Sequence, residues 1–231
     1  VADLARAMGV RESKLEEVPS LALGTSPVSL KEMVAAYGAI ASAGSYHAPR
    51  VITRIEDKNG KVLEDFAPTA PERVLGLTAA QQLRDAMRGV VDKGTGVAIR
   101  SRYGIRADVA GKTGTNDIYG DITSAWFVGY TKQISTAVMY VAGDSGVEDL
   151  ETYKRPQDGT FFGSTYPLMT WVDYMTIATD GMPVEKFDRP RDIRAERGKT
   201  AGPSRSGSPS ASPSPSPTTP ASTPRSCRPK S

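Results

Sequence analysis

The sequence has one cysteine, Cys227, and one histidine, His47. A single thiol closes no disulfide within the chain and builds no cysteine metal site. The lone histidine stands between Tyr46 and Ala48-Pro49, in a segment that reads as a surface loop, which argues against Ser-His-Asp chemistry. No run of about 18 apolar residues occurs, so no transmembrane helix is expected, and no signal-peptide pattern is present. No serine is followed by lysine three positions later, so the chain holds no serine with a lysine base one helical turn away. Asparagine occurs only at Asn59 and Asn116, and neither completes a Ser-x-Asn.

Acid is missing from the end of the chain. Residues 198–231 carry Lys199, Arg205, Arg225, Arg228 and Lys230 without a single Asp or Glu. Those five exceed the whole net charge of +3 and leave residues 1–197 at −2. The near-neutral body gives no reason to expect nucleic acid as a partner. Residues 203–231 hold 10 Ser and 8 Pro and no large apolar side chain. Such a segment cannot bury a core and is expected to be disordered. The boundary is placed at residue 190, with a folded part over 1–190 and a Ser/Pro-rich tail over 191–231. The 231 residues, 39% of them hydrophobic, suffice for one sizeable core. The chain opens at Val1 and enters helical pattern at once, which suggests the C-terminal part of a longer protein with any targeting segment upstream.

Three longer helices are predicted. Over 29–43, Ser29 and Glu32 have capping-box spacing, Leu30, Met33, Val34, Tyr37, Ile40 and Ala41 recur on one face, and Gly44 ends the pattern. Over 78–93, Thr78 and Gln81 open the segment, Leu83, Met87, Val90 and Val91 face inward, and Gly94 closes it. Near 165–179, Leu168, Trp171, Val172 and Met175 recur at helical spacing. A short helix is expected at 2–8, ended by Gly9. Between them, residues 50–63 read as a charged, peripheral hairpin around Asn59-Gly60.

Three strands follow. The first includes Asp108-Val109-Ala110 and ends in the stretch Gly111-Lys112-Thr113-Gly114-Thr115. The second is Ala125-Trp126-Phe127-Val128-Gly129-Tyr130, with Trp126 and Tyr130 expected in the core. A short turn at 131–133 leads to the third, 135–142, which is nearly all apolar and suits a central strand covered on both faces. So short a turn requires antiparallel pairing. Asn116-Asp117, Asp121 and Asp144 read as solvated loop.

Gly111-Lys112-Thr113 invites a phosphate-loop reading, but that signature needs glycine at 106, where Arg106 stands. On a strand, Thr113 and Thr115 point one way and Lys112 and Gly114 the other. A site using all four must lie at a strand edge. There Gly114 removes an obstructing side chain, the Thr113 and Thr115 hydroxyls suit a carboxylate, the Thr115 N–H suits an oxyanion, and Lys112 supplies positive potential.

With Leu21-Ala22-Leu23-Gly24-Thr25, Gly89-Val90-Val91, Gly94-Thr95-Gly96, Ala110-Gly111-Lys112-Thr113-Gly114-Thr115 and Ala125–Tyr130, residues 1–188 resemble the C-terminal half of a penicillin-binding transpeptidase domain of the large bifunctional type. The resemblance implies an α/β fold of the serine β-lactamase/transpeptidase type, with a mainly antiparallel sheet flanked by helices. It implies a serine D,D-transpeptidase that cross-links peptidoglycan stem peptides ending in D-Ala-D-Ala and is acylated by β-lactams. That family works with Ser-x-x-Lys, Ser-x-Asn and Lys-Thr-Gly, and only the last is here. By resemblance, Lys112 assists the relay serine, Thr113, Gly114 and Thr115 line the substrate site, and the Thr115 amide completes the oxyanion hole. The other two motifs would come from the upstream half of the same domain, and the chain alone is expected to be inactive. No metal or diffusible cofactor is implied. A glycosyltransferase domain, a membrane anchor and action outside the cytoplasmic membrane are implied for the whole protein. The rival reading is a non-catalytic module that binds wall peptides or partner proteins. A β-lactamase fits the extended hairpin region and the tail poorly.

Overall fold

The computed structural model describes residues 1–188; the tail assigned to 191–231 lies outside the described residues. The chain runs α1 (Ala2–Ala7), α2 (Leu30–Ala41), β1 (Ser45–Tyr46), β2 (Arg54–Glu56), β3 (Val62–Asp65), β4 (Glu72–Arg73), α3 (Leu77–Lys93), α4 (Ala98–Ser101), β5 (Ala110–Ile118), β6 (Asp121–Tyr130), β7 (Ser135–Tyr140) and α5 (Tyr166–Ala178). The expected α/β class with antiparallel strands and flanking helices is what is found. Among the described residues, no helix is long and apolar enough to cross a membrane.

The capping box that starts α2 is complete. Ser29 accepts from the Glu32 N–H, and Glu32 returns to the Ser29 N–H. Glu32 does more than cap. It is 2% exposed and also accepts from the Glu12 N–H (2.6 Å), the Ser13 N–H (2.9 Å) and the Ser13 hydroxyl. Burial alone would push its pKa up. The bonds from Ser13, Glu12 and Ser29 outweigh that and hold the carboxyl well below the usual range. A carboxyl depressed in the folded state stabilises fully above its unfolded pKa, and the gain disappears as pH falls toward the folded value. Glu32→Gln is therefore expected to lose about 2 kcal/mol at pH 7. Below about pH 4.5 its stability should fall less steeply with acid than that of the unchanged chain. Urea titrations of both proteins at pH 7 and pH 3 check this; an unchanged gap between them would refute the ionic anchor.

The excursion between α2 and α3 carries two small antiparallel pairs. β1 pairs with β4 and closes its base. β2 and β3 form the predicted peripheral hairpin, and every residue of both strands is exposed. Its turn is not the two-residue Asn59-Gly60 form. Only Gly60 takes positive φ, and Asp57 Oδ1 closes a wider loop by accepting from the Asn59 and Lys61 N–H groups at 2.8 and 3.0 Å.

α3 starts two residues earlier than Thr78 as a cap would require, from Gly76 and without a side-chain cap. Its inward face carries Ala80, Gln81, Arg84, Met87 and Val91, and Leu83, expected inside, is 40% exposed. Arg84 is buried because Phe187 lies under its guanidinium, 5.0 Å from ring centroid to Cζ, and the Asp188 carbonyl accepts from it. Phe187 in turn packs edge-on to Tyr130 at 5.8 Å, and its N–H donates to Asp108 at 2.9 Å.

The main sheet has the order β5-β6-β7, antiparallel throughout. β7 is thus an outer strand among the described residues, not the central one that its apolar run suggests. α2 and α5 do cover its two faces, but its side has no neighbour, and all six residues are only half-buried. Phe127 packs with Trp171, Leu168 and Val172 of α5, whereas Tyr130 and Ala110 pack with Ala36 and Ile40 of α2. Strand alternation puts these sets on opposite faces. Where β5 crosses β6, Gly111 stands opposite Gly129. A Cβ at either would strike the Phe127 ring, and one at Gly129 would also strike Trp171. The glycine pair is the seat for those two rings.

Candidate active site

Lys112, Thr113, Gly114 and Thr115 lie within β5, the outer strand of the sheet opposite β7. The strand-edge position expected from their alternation is the one observed. The end of the strand is not. β5 continues through Asn116 and Asp117 to Ile118 and turns at Tyr119-Gly120 into Asp121. The presumed solvated loop is a continuous hairpin. Its tip is closed by positive φ at Tyr119 (55°) and Gly120 (98°), the two-residue geometry that follows strand twist. Asp117 accepts from the Gly120 N–H at 3.0 Å, and the Asn116 amide donates to Thr123 at 2.8 Å.

Register then fixes the surroundings of each residue. Lys112 faces Val128, Thr113 faces Phe127, Gly114 faces Trp126 and Thr115 faces Ala125. Trp126, expected in the core, is only half-buried, with its side chain beside Gly114; a Cβ on Gly114 would stand 3.2 Å from Trp126 Cβ. Tyr130 is fully buried as expected. His47 and Asp144 are exposed, in keeping with surface loops.

Both threonine hydroxyls have a neighbour from another loop. Thr113 Oγ1 lies 2.7 Å from Thr95 Oγ1, in the turn between α3 and α4. Thr115 Oγ1 accepts from the Gly163 N–H at 3.1 Å, in the loop before α5. A hydroxyl has one proton and two lone pairs. Accepting from Gly163 leaves the Thr115 proton free to be donated elsewhere. Lys112 is exposed, and its Nζ donates to its neighbour's carbonyl, Thr113 O, at 2.9 Å; an ammonium has three protons, so two remain. The wall thus presents an ammonium, hydroxyl donors and an uncluttered backbone along one edge. That set suits an anionic group beside a reacting carbonyl. It contains no nucleophile.

Thr95 stood within a stretch already singled out, Gly94-Thr95-Gly96, but only the fold brings it to Thr113. Nothing in the sequence marked Gly163, because its contribution is a backbone N–H and an absent side chain.

The model of the penicillin-binding protein transpeptidase domain matches residues 7–158, and the chain belongs to that family. It is 37% identical over 171 residues to Penicillin-binding protein 1A of Aquifex aeolicus, which covers 74% of this chain and 21% of that protein. The structure of PonA1 from Mycobacterium tuberculosis superposes with a TM-score of 0.71 at 27% identity, covering 83% of this chain and 52% of that one. PonA1 in complex with penicillin V gives 0.69 at 27% identity. The chain therefore spans about a fifth of the Aquifex protein and half of the PonA1 chain.

Proposed function

We propose that Lys112, Thr113, Gly114 and Thr115 form the carboxylate- and oxyanion-binding wall of a serine D,D-transpeptidase of peptidoglycan synthesis. The observation that carries this reading is the placing of Lys112 and Thr115, both exposed, on the outer edge of β5, with Gly114 between them. A stem peptide ending in D-Ala-D-Ala lies along this edge with its terminal carboxylate on the Thr113 and Thr115 hydroxyls. A serine oxygen from the upstream half of the domain attacks the penultimate alanine's carbonyl. The carbonyl oxygen gains negative charge and is held by the Thr115 N–H; on collapse the terminal D-alanine leaves with a proton. Lys112 holds the relay serine that passes this proton. A second stem-peptide amine then takes the acyl group and restores the serine. β-Lactams present the same carboxylate and a strained carbonyl and stop at the acyl-enzyme; the binding of penicillin V by PonA1 supports this. An enzyme that cross-links stem peptides acts outside the cytoplasmic membrane, and this location, the glycosyltransferase domain and the anchor belong to the same proposal.

Incubation with fluorescent penicillin tests it. Residues 1–231 alone should take no covalent label, because no Ser-x-x-Lys is present. The same residues joined to the sequence encoded upstream should take one label per chain. Stoichiometric labelling of residues 1–231 alone would overturn the assignment. An in-frame start at Val1, with no Ser-x-x-Lys upstream, would favour the non-catalytic module instead.

A further inference from the structure

Gly163 stands apart from every motif in the sequence, yet it touches the wall. It is buried, and its N–H reaches Thr115 Oγ1 at 3.1 Å. A Cβ placed on it would fall well inside contact distance of the carbonyl oxygens of Trp126 and Gly114. Those atoms belong to the backbones of two paired strands and cannot swing aside as a side chain would. The absence of a side chain is what lets this loop lie directly on β5 and β6.

The loop itself is pinned on both sides of Gly163. Before it, Phe161 is 3% exposed, its N–H donates to Glu151 at 2.7 Å, and its ring stacks on Tyr166 at 4.0 Å. After it, the Thr165 hydroxyl lies 2.8 Å from the Phe162 carbonyl and 3.0 Å from that of Thr160. A donor held this firmly dictates how the acceptor is used. Thr115 Oγ1 has one lone pair taken by Gly163, so its own proton must point away from the loop.

We infer that Gly163 is a positioning residue whose N–H holds the Thr115 hydroxyl as a proton donor toward the substrate carboxylate. This rests on the assignment of Thr115 to the substrate wall. Gly163 touches no reacting atom and acts only through Thr115. The loop before α5 is in this sense the back of the binding site, and α5 is its footing.

The test uses the full-length protein and two probes, a penicillin with its free carboxylate and the same compound as its methyl ester. Gly163→Ala should slow acylation by the free acid at least about tenfold, the worth of one hydrogen bond to a charged group, and slow the ester far less. Combining it with Thr115→Val should add little to either single change, whereas Thr115→Ser should retain most of the rate. If Gly163→Ala does not fold, as a thermal melt will show, Thr165→Val loosens the same loop without adding bulk beside β5 and should give the same selective loss. Equal slowing of acid and ester, or additive effects with Thr115→Val, overturns the positioning role. A Thr115→Val protein that acylates normally with both probes instead overturns the assignment of the wall.

Discussion

Lys112→Ala in the full-length protein slows acylation by penicillin about a hundredfold or more and leaves stability within about 0.5 kcal/mol. The two halves of this expectation have different origins. Lys112 is exposed, and among the described residues its Nζ reaches only the carbonyl of the next residue, Thr113, at 2.9 Å. Its removal opens no cavity and orphans no buried group. What goes, on the proposed assignment, is the ammonium that would fix the relay hydroxyl and favour charge developing along the edge of β5. Interactions made chiefly in the transition state appear in the rate, not in the melting curve. Single-turnover labelling with fluorescent penicillin, run beside a thermal melt, separates the two. Near-normal acylation by a stable protein would remove Lys112 from the site.

Trp171→Ala is expected to destabilise the fold by about 3–5 kcal/mol, a large share of the roughly 5–15 kcal/mol that domains possess. Trp171 is fully buried. Its ring meets Phe127 edge-on at 5.3 Å, and its Nε1–H donates to the Gly129 carbonyl at 3.2 Å. Truncation would empty the seat above the Gly111–Gly129 pair and free that carbonyl. Because α5 directly follows the loop that carries Gly163, the damage should reach Thr115 as well. Urea titration followed by tryptophan fluorescence of the remaining Trp126 measures the loss of stability, and the rate of penicillin labelling of the full-length protein measures the effect at Thr115. A loss below about 1 kcal/mol would mean that α5 is not held through this contact.

These residues also show what could be read in the sequence. The start of α2 was legible because Ser29 and Glu32 satisfy each other locally, three residues apart. α5 was legible because its apolar spacing is regular, and observed Tyr166–Ala178 falls within the 165–179 expected. The extent of α3 was legible to within one residue, but its cap was not, because Gly76 caps it without a side-chain signature. The β5–β6 hairpin was underestimated because Asn116, Asp117, Gly120 and Asp121 have turn composition. Most of those polar groups serve the hairpin itself, through Asp117 to Gly120 and Asn116 to Thr123. The run in β7 told of two covered faces and nothing of its open side. Lys112 through Thr115 were found from their chemistry. Thr95 and Gly163 depend on contacts between distant segments, 18 and 48 residues from their partners, and no local pattern records those.

The Gly163 contact has a further meaning for how such a site can change under selection. On the assignment above, an antibiotic and the natural peptide read the same hydroxyls and backbone of β5. A substitution within residues 112–115 that rejects one would therefore also reject the other. The residues behind the strand are under no such bind. Thr95, Trp126 and the loop around Gly163 touch β5 without belonging to residues 112–115, and small replacements there would shift the strand slightly. A rigid ring and a flexible peptide tolerate such a shift unequally. Escape from the drug at tolerable cost to wall synthesis is therefore to be sought in this supporting layer, and surveys confined to Lys-Thr-Gly would overlook it.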